Sequence, residues 1–257
     1  MRNKPTIGWL GAVRMGYDID KFPAKACYDI TVRNRTRAEA EPLVQVGAKI
    51  ADSPAELASR DVIFSMLATA DDVTGVILGA NGLLSKSRPG DNGLPKMLMV
   101  STSISTEASA DLRAELQKFG IQMLAAPVSG NAKVVKAGKL SFVVSGPKDA
   151  FDAASPMLGE IGQEATWFGD GDLARVVKIC HNVFLGVVIQ PLAEITVLAE
   201  KAGVPRHAFL DFLNKSVMGS VFSRSNTERT RALAFVHAGW GGGAGAAGAG
   251  VSWGAGG

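Results

Sequence analysis

Cysteine is nearly absent: Cys27 and Cys180 are the only two among 257 residues. Thiols so far apart form neither a disulfide framework nor a spaced metal-binding cluster, so no metal is expected and the reducing cytoplasm is the expected compartment. An excess of charge of one sign is also lacking. Twenty-seven basic residues against 24 acidic leave +3, too little over this length for an electrostatic footprint on a phosphate backbone, so nucleic acid is not an expected partner. A secretory signal is missing as well, because Arg14 and Asp18 interrupt the short apolar stretch near the N-terminus and no small-residue cleavage pattern follows. From Ala232 to Gly257 there is no Asp, Glu, Lys or Arg, and ten of the last nineteen residues are glycine. Side chains this small cannot offset the entropy of ordering the backbone, so residues 230–257 are expected to form a disordered tail foreign to the fold.

What is present is a chain that is 47% hydrophobic, enough for two cores. From residue 5 to about 168, apolar runs alternate with helix-like segments. The runs are Thr6 to Leu10, Asp29 to Val32, Asp61 to Met66, Met97 to Ser101, Gln122 to Leu124 and Ser141 to Ser145, with amphipathic stretches such as Ser53 to Ser59 and Thr106 to Phe119 between them. This is the pattern of an α/β fold: a Rossmann-type, doubly wound parallel sheet with crossover helices, expected over 1–168. Its ligand belongs off the carboxyl ends of the strands, where Gly11, Asn34, Met66 and Thr102 fall.

After Gly169-Asp-Gly171 the pattern becomes one long helix, roughly Leu173 to Ala202, which opens an all-α domain expected over 169–229. Val176, Val177, Ile179, Val183, Phe184, Leu185, Val187, Val188, Ile189 and Leu192 make it apolar nearly all round, so burial on most sides is expected. Gln190, Pro191 and Glu194 interrupt the stretch short of a membrane span, and no membrane association is expected. Gly203-Val-Pro205 stops it, and His207 to Asn214 reads as a further helix.

Several segments carry chemistry. Gly11-Ala12-Val13-Arg14-Met15-Gly16 follows the first apolar run, and glycines at this spacing serve a strand, a tight turn and a helix whose first amides face a pyrophosphate. The middle glycine is replaced by Val13, where the backbone passes closest to the phosphates. Gly11, Ala12, Arg14, Met15 and Gly16 are the candidate contacts. At the end of the second run, Arg33-Asn34-Arg35-Thr36 stands where an NAD-preferring site places a carboxylate. Asn34, Arg35 and Thr36 instead offer a guanidinium and small hydrogen-bonding groups, which favours the 2′-phosphate of NADP and leaves NAD possible; a solvated basic loop is the alternative. Met66, Leu67 and Thr102 complete the candidate cofactor edge.

Ser129 and Gly130, within Pro127-Val-Ser-Gly-Asn131, are placed to bind a substrate carboxylate or hydroxyl, although the same residues make an ordinary turn. Lys178 lies on the long helix with His181 and Asn182 at the next turn. An ammonium buried there would have a pKa lowered toward a useful acid–base range; a lysine snorkelling to the surface is the alternative.

Ile7-Gly-Trp-Leu-Gly11 to Met15-Gly16, Asn34-Arg-Thr36, Thr102-Ser-Ile-Ser105, Pro127-Val-Ser-Gly130 and Lys178-Ile-Cys-His-Asn182 occur in this order. The chain thereby resembles the β-hydroxyacid dehydrogenases, the 3-hydroxyisobutyrate dehydrogenase family, from about residue 5 to about residue 225. The resemblance implies NAD(P)-dependent interconversion of a small 3-hydroxy acid and its aldehyde acid, with Lys178 as the catalytic lysine, Asn182 as the substrate-orienting residue, and Ser129 and Gly130 as the substrate loop. It also implies a homo-oligomer. Imine reductases share the fold but generally lack the lysine, so Lys178 counts against them. A non-catalytic NADP-binding or interaction module is the other alternative.

The departures are specific. Besides Val13, the family's aspartates before the substrate loop and before the serine segment are here Ala125 and Val100, and Cys27 replaces an expected glycine. Pro23 and Pro191 fall inside expected helices, at about 3 kcal/mol each unless the helix ends or kinks. Residues from Thr230 onward bear no likeness to the helices and Lys-Asp pair of the family, so a truncated helical domain is expected.

Overall fold

Runs that are apolar at every position, rather than at alternate ones, make strands covered on both faces. The computed structural model describes residues 4–11, 28–129 and 140–220. Strands β1 (Ile7–Leu10), β2 (Ile30–Arg33), β3 (Lys49–Ile50), β4 (Val62–Ser65), β5 (Met97–Val100) and β6 (Gln122–Ala125) form a parallel sheet in the order β3-β2-β1-β4-β5-β6. The order reverses between β1 and β4, which makes the crevice at their carboxyl ends the topological switch point.

The crossover segments follow from local chemistry. A short helix α1 (Arg37–Ala40) runs into a 3₁₀ turn at Glu41–Val46. Helix α2 (Ala70–Leu78) is fixed at its start by a box in which the Asp72 amide donates to the Thr69 hydroxyl at 3.1 Å and the Thr69 amide to the Asp72 carboxylate at 3.2 Å. Helix α3 (Thr106–Lys118) begins at Ser105, whose hydroxyl accepts from the Ala108 amide at 3.1 Å.

Two cores result. On one face Ile7, Trp9, Val32, Phe64, Met97, Met99 and Leu124 pack with Phe142, Phe151 and Leu158; Trp9 and Phe64 stack with ring centroids 4.7 Å apart. On the other, Leu10, Ile63, Leu98 and Val100 meet Val73 and Ile77 of α2 and Leu112 and Leu116 of α3.

Three expectations need correction. The run at Ser141 to Ser145 does not join the parallel sheet. As β8 (Ser141–Val144) it pairs antiparallel with β7 (Val128–Ser129) and parallel with β9 (Glu164–Trp167), and helix α4 (Lys148–Ile161) packs against this second sheet. The reversal is fixed where Ala125 and Ser145 exchange two amide hydrogen bonds of 2.9 Å. The sixth place in the parallel sheet goes to β3 at the opposite edge. The stretch at Ser53 to Ser59 makes only a 3₁₀ turn, Pro54–Leu57.

The third correction concerns the long helix. The chain divides into two compact units between Lys178 and Ile179, inside helix α5 (Leu173–Lys201). The first turns of α5 belong to the first unit. In the second unit α5 continues unbroken through Pro191. Pro191 and Val187, one turn earlier, are both exposed, so water can replace the amide that proline lacks. Helix α6 (Arg206–Lys215) follows, held by an Arg206–Glu200 ion pair at 2.7 Å. Instead of being buried, Ile179, Val183, Phe184 and Val187 are exposed, Phe184 by 69%. Helix α6, at ten residues, is the only other helix described in this unit and is too short to cover α5. By length and composition alone, Leu173–Lys201 is also long and apolar enough to cross a membrane.

Candidate active site

The end of β1 closes tightly against the loop after β4. Gly11 has φ +91°, and a Cβ there would lie 2.3 Å from the Met66 carbonyl oxygen, so only glycine fits. Its amide donates to the Arg33 carbonyl at 3.0 Å, and the Trp9 indole donates to the Gly11 carbonyl at 3.2 Å. Ala12, Val13, Arg14, Met15 and Gly16, together with Pro23 and Cys27, lie outside the described residues.

Beyond β2, Asn34 is buried and its side-chain amide donates to the Thr36 carbonyl at 3.0 Å and to the Glu39 carboxylate at 2.7 Å. Asn34 therefore shapes the turn that leaves Arg35 and Thr36 exposed. Glu39 is a carboxylate that the sequence reading did not bring to this loop; its signal was its place two residues into the helix begun at Arg37. Neighbouring Arg37 pairs with Asp52, and Arg33 donates through Nε to the Asp52 carbonyl at 3.1 Å.

Beyond β4 and β5 the candidate residues come together. The Leu67 amide donates to the Thr102 hydroxyl at 2.8 Å, and Thr102 is buried. The Thr102 carbonyl accepts from Arg175 at 2.7 Å. Arg175 is buried beside Asp172, with Nε 3.0 Å from the carboxylate. The same Asp172 oxygen accepts from the Ser109 hydroxyl at 2.7 Å and from Arg113 at 3.3 Å, and Arg113 also donates to the Met123 carbonyl at 2.9 Å. Burial pulls the Arg175 guanidinium below its ordinary range, with Asp172 opposing the shift. Removing one partner of such a buried pair costs about 3–5 kcal/mol, because the other charge is left unmatched. None of Asp172, Arg175, Ser109 and Arg113 was singled out from sequence.

One turn after Arg175 stands Lys178, half-buried, its pKa lowered by desolvation. It is an amine in the first unit whose proton is loosened by its surroundings. Ser129 is half-buried on β7, whereas Gly130 and Asn131 lie outside the described residues. Asn182 belongs to the second unit, where its side-chain oxygen is 3.5 Å from Nδ1 of His181. Val100 and Ala125, at the ends of β5 and β6, are fully buried.

A dinucleotide fits the described part of this edge: a glycine with no room for Cβ ends β1, and an exposed guanidinium, a hydroxyl-bearing turn and the Leu67–Thr102 pair follow at the ends of β2, β4 and β5. A groove of about 550 Å³ lined by Glu56, Lys86 and Asp91 lies before β4 and β5, at their amino ends, and is no part of it. Among the described residues no cluster of His, Cys, Asp or Glu could hold a metal ion.

Comparison with known proteins identifies the family and the fold. Residues 6–169 match the NAD binding domain of 6-phosphogluconate dehydrogenase. The mitochondrial 3-hydroxyisobutyrate dehydrogenase of Mus musculus is 30% identical over 84% of this chain, which spans 63% of that protein's length. The uncharacterized oxidoreductase YfjR of Bacillus subtilis is 33% identical over 86% of this chain and 76% of its own. Among solved structures, the 3-hydroxyisobutyrate dehydrogenase of Mycobacterium tuberculosis with L-serine superposes with a TM-score of 0.73 at 26% identity, covering 85% of this chain and 72% of that one. A glycine-closed β1, a six-stranded parallel sheet and a matching domain over most of its length place this chain in the β-hydroxyacid dehydrogenase family, that of 3-hydroxyisobutyrate dehydrogenase.

Proposed function

We propose that the protein is an NAD(P)-dependent oxidoreductase that interconverts a small 3-hydroxy acid and the matching aldehyde acid, working in the cytoplasm. The observation that carries this reading is Lys178: a half-buried amine with a lowered pKa, on a helix whose first turn is hydrogen-bonded to the loop after β5. When bound, the cofactor supplies hydride transfer. Gly11 gives the pyrophosphate room, Arg35 and Thr36 recognise a 2′-phosphate and so favour NADP, and Met66, Leu67 and Thr102 line the edge toward the reacting end. Lys178 takes the hydroxyl proton in oxidation and returns it in reduction. Ser129 and Gly130 hold the substrate carboxylate, and Asn182, four residues after Lys178, holds the substrate oxygen.

The test is a turnover screen of small 3-hydroxy acids with NADP, followed by absorbance of the reduced cofactor, beside Lys178→Ala. Turnover that drops by roughly 10²–10⁴-fold in the variant supports the reading. Equal turnover in both proteins removes Lys178 from the chemistry. NADPH binding without turnover of any hydroxy acid supports instead a non-catalytic binding module, a reading favoured by the exposed apolar face of α5.

A further inference from the structure

We propose that Arg175 is a positioning residue that ties the cofactor-facing loop after β5 to the helix bearing Lys178. The inference rests on the reading of Lys178 as the proton-transfer group and of Thr102 as a cofactor neighbour. The wiring is direct. Arg175 donates to the Thr102 carbonyl at 2.7 Å, while the Thr102 hydroxyl accepts from the Leu67 amide at 2.8 Å. The loops that follow β4 and β5 therefore meet at one residue, and that residue is bonded to the first turn of α5. Lys178 lies three residues further along α5, on the same face as Arg175.

The guanidinium itself is locked. Asp172 receives Nε at 3.0 Å and also accepts from Ser109 of α3 at 2.7 Å, and Arg175 approaches the Ser109 hydroxyl at 3.4 Å. A planar fork of donors can serve Thr102 and Asp172 together, whereas a lysine ammonium is a single point of charge on a flexible stem. The Ala174 amide adds a second anchor, donating to the Ser145 hydroxyl at 3.0 Å, and that hydroxyl in turn donates to the Gly171 carbonyl at 2.9 Å. The start of α5 is thereby fixed against both sheets of the first unit, and among the described residues of that start only Arg175 bonds to the loop at the candidate cofactor edge.

The experiment compares the full chain with Arg175→Lys, Arg175→Gln and Ser109→Ala by three readouts: amide hydrogen exchange of residues 101–105, NADPH affinity by fluorescence, and kcat and KM on whichever hydroxy acid the wild type turns over. Thermal melting identifies the folded variants. Arg175→Gln is expected to speed exchange of the loop, weaken NADPH roughly tenfold and lower kcat far more than it raises KM. Arg175→Lys, which keeps the charge, should recover only part of each effect, and Ser109→Ala, which leaves the Arg175–Thr102 bond in place, should move all three readouts less than Arg175→Gln does. If folded Arg175→Lys and Arg175→Gln exchange this loop and bind NADPH as wild type does, the inference is overturned. Exchange and affinity are read without turnover, so an inactive wild type, which would defeat the reading of Lys178, leaves them to decide on Arg175. If Arg175→Gln fails to fold, Arg175→Lys decides alone.

Discussion

The Leu67 amide and the Thr102 hydroxyl, 35 residues apart in sequence, are joined by a 2.8 Å hydrogen bond across the carboxyl ends of β4 and β5. The pair is partly buried, so its loss strands an amide with little access to water. Thr102→Val, similar in shape but without the acceptor, is expected to cost about 1–3 kcal/mol, and Thr102→Ser to cost less. Urea unfolding of the three proteins checks this; equal midpoints for Val and Thr would contradict it.

Gly11→Ala tests the closure at β1. The new Cβ would meet the Met66 carbonyl in a backbone conformation at φ +91° that alanine adopts at a cost of roughly 1–2 kcal/mol before any clash. The variant should melt earlier and bind NADPH more weakly. A variant that binds NADPH as wild type does would show that Met66 can retreat.

Lys178 gives a pH signature whose sign is fixed. Its folded pKa is lowered by burial, so between that value and the ordinary lysine range the unfolded chain binds more protons than the folded one, and stability rises with pH through this window. The destabilisation is fully present below the folded pKa. Lys178→Met removes it, so the variant should exceed wild type in urea midpoint at neutral pH, with the gap closing as pH approaches about 10. A gap that does not depend on pH would mean that the ammonium carries no desolvation penalty.

Cofactor preference is tested at Arg35. Exposed beyond β2, it is the residue assigned to a 2′-phosphate, and Arg35→Asp should weaken NADPH by roughly tenfold or more while sparing NADH. Glu39 is held near this loop by Asn34, so Glu39→Gln should strengthen NADPH modestly by removing a like charge. Ratios of NADPH to NADH affinity that stay fixed in both variants would remove the loop from cofactor choice.

The strands β1, β2, β4, β5 and β6 were legible because burial on both faces leaves continuous apolar runs, and α3 because Thr106 to Phe119 is amphipathic, with Leu112 and Leu116 on its buried face. The two-residue β3 was not: Lys49 is exposed, and nothing local distinguishes Lys49–Ile50 from a loop. The placement of Ser141–Val144 in a second sheet depends on pairing with Val128–Ser129 and on the Ala125–Ser145 bridge, neither of which an apolar run encodes. Arg175 and Asp172 have the spacing of a solvated pair at the start of a helix. Their burial comes from Thr102 and Ser109, more than sixty residues earlier, and no local pattern announces that. Pro191 read as a break because proline lacks an amide, yet on an exposed side of α5 water can stand in for it.

Binding of a nicotinamide dinucleotide at the carboxyl ends of β1, β2, β4 and β5 underlies every functional role assigned above. Fluorescence titration of the purified chain with NADPH and, separately, with NADH measures it directly. Saturable binding of both, with NADPH the tighter, is the expected result; no saturable binding of either would contradict the assignment of this edge and leave a family member that keeps the fold without the cofactor.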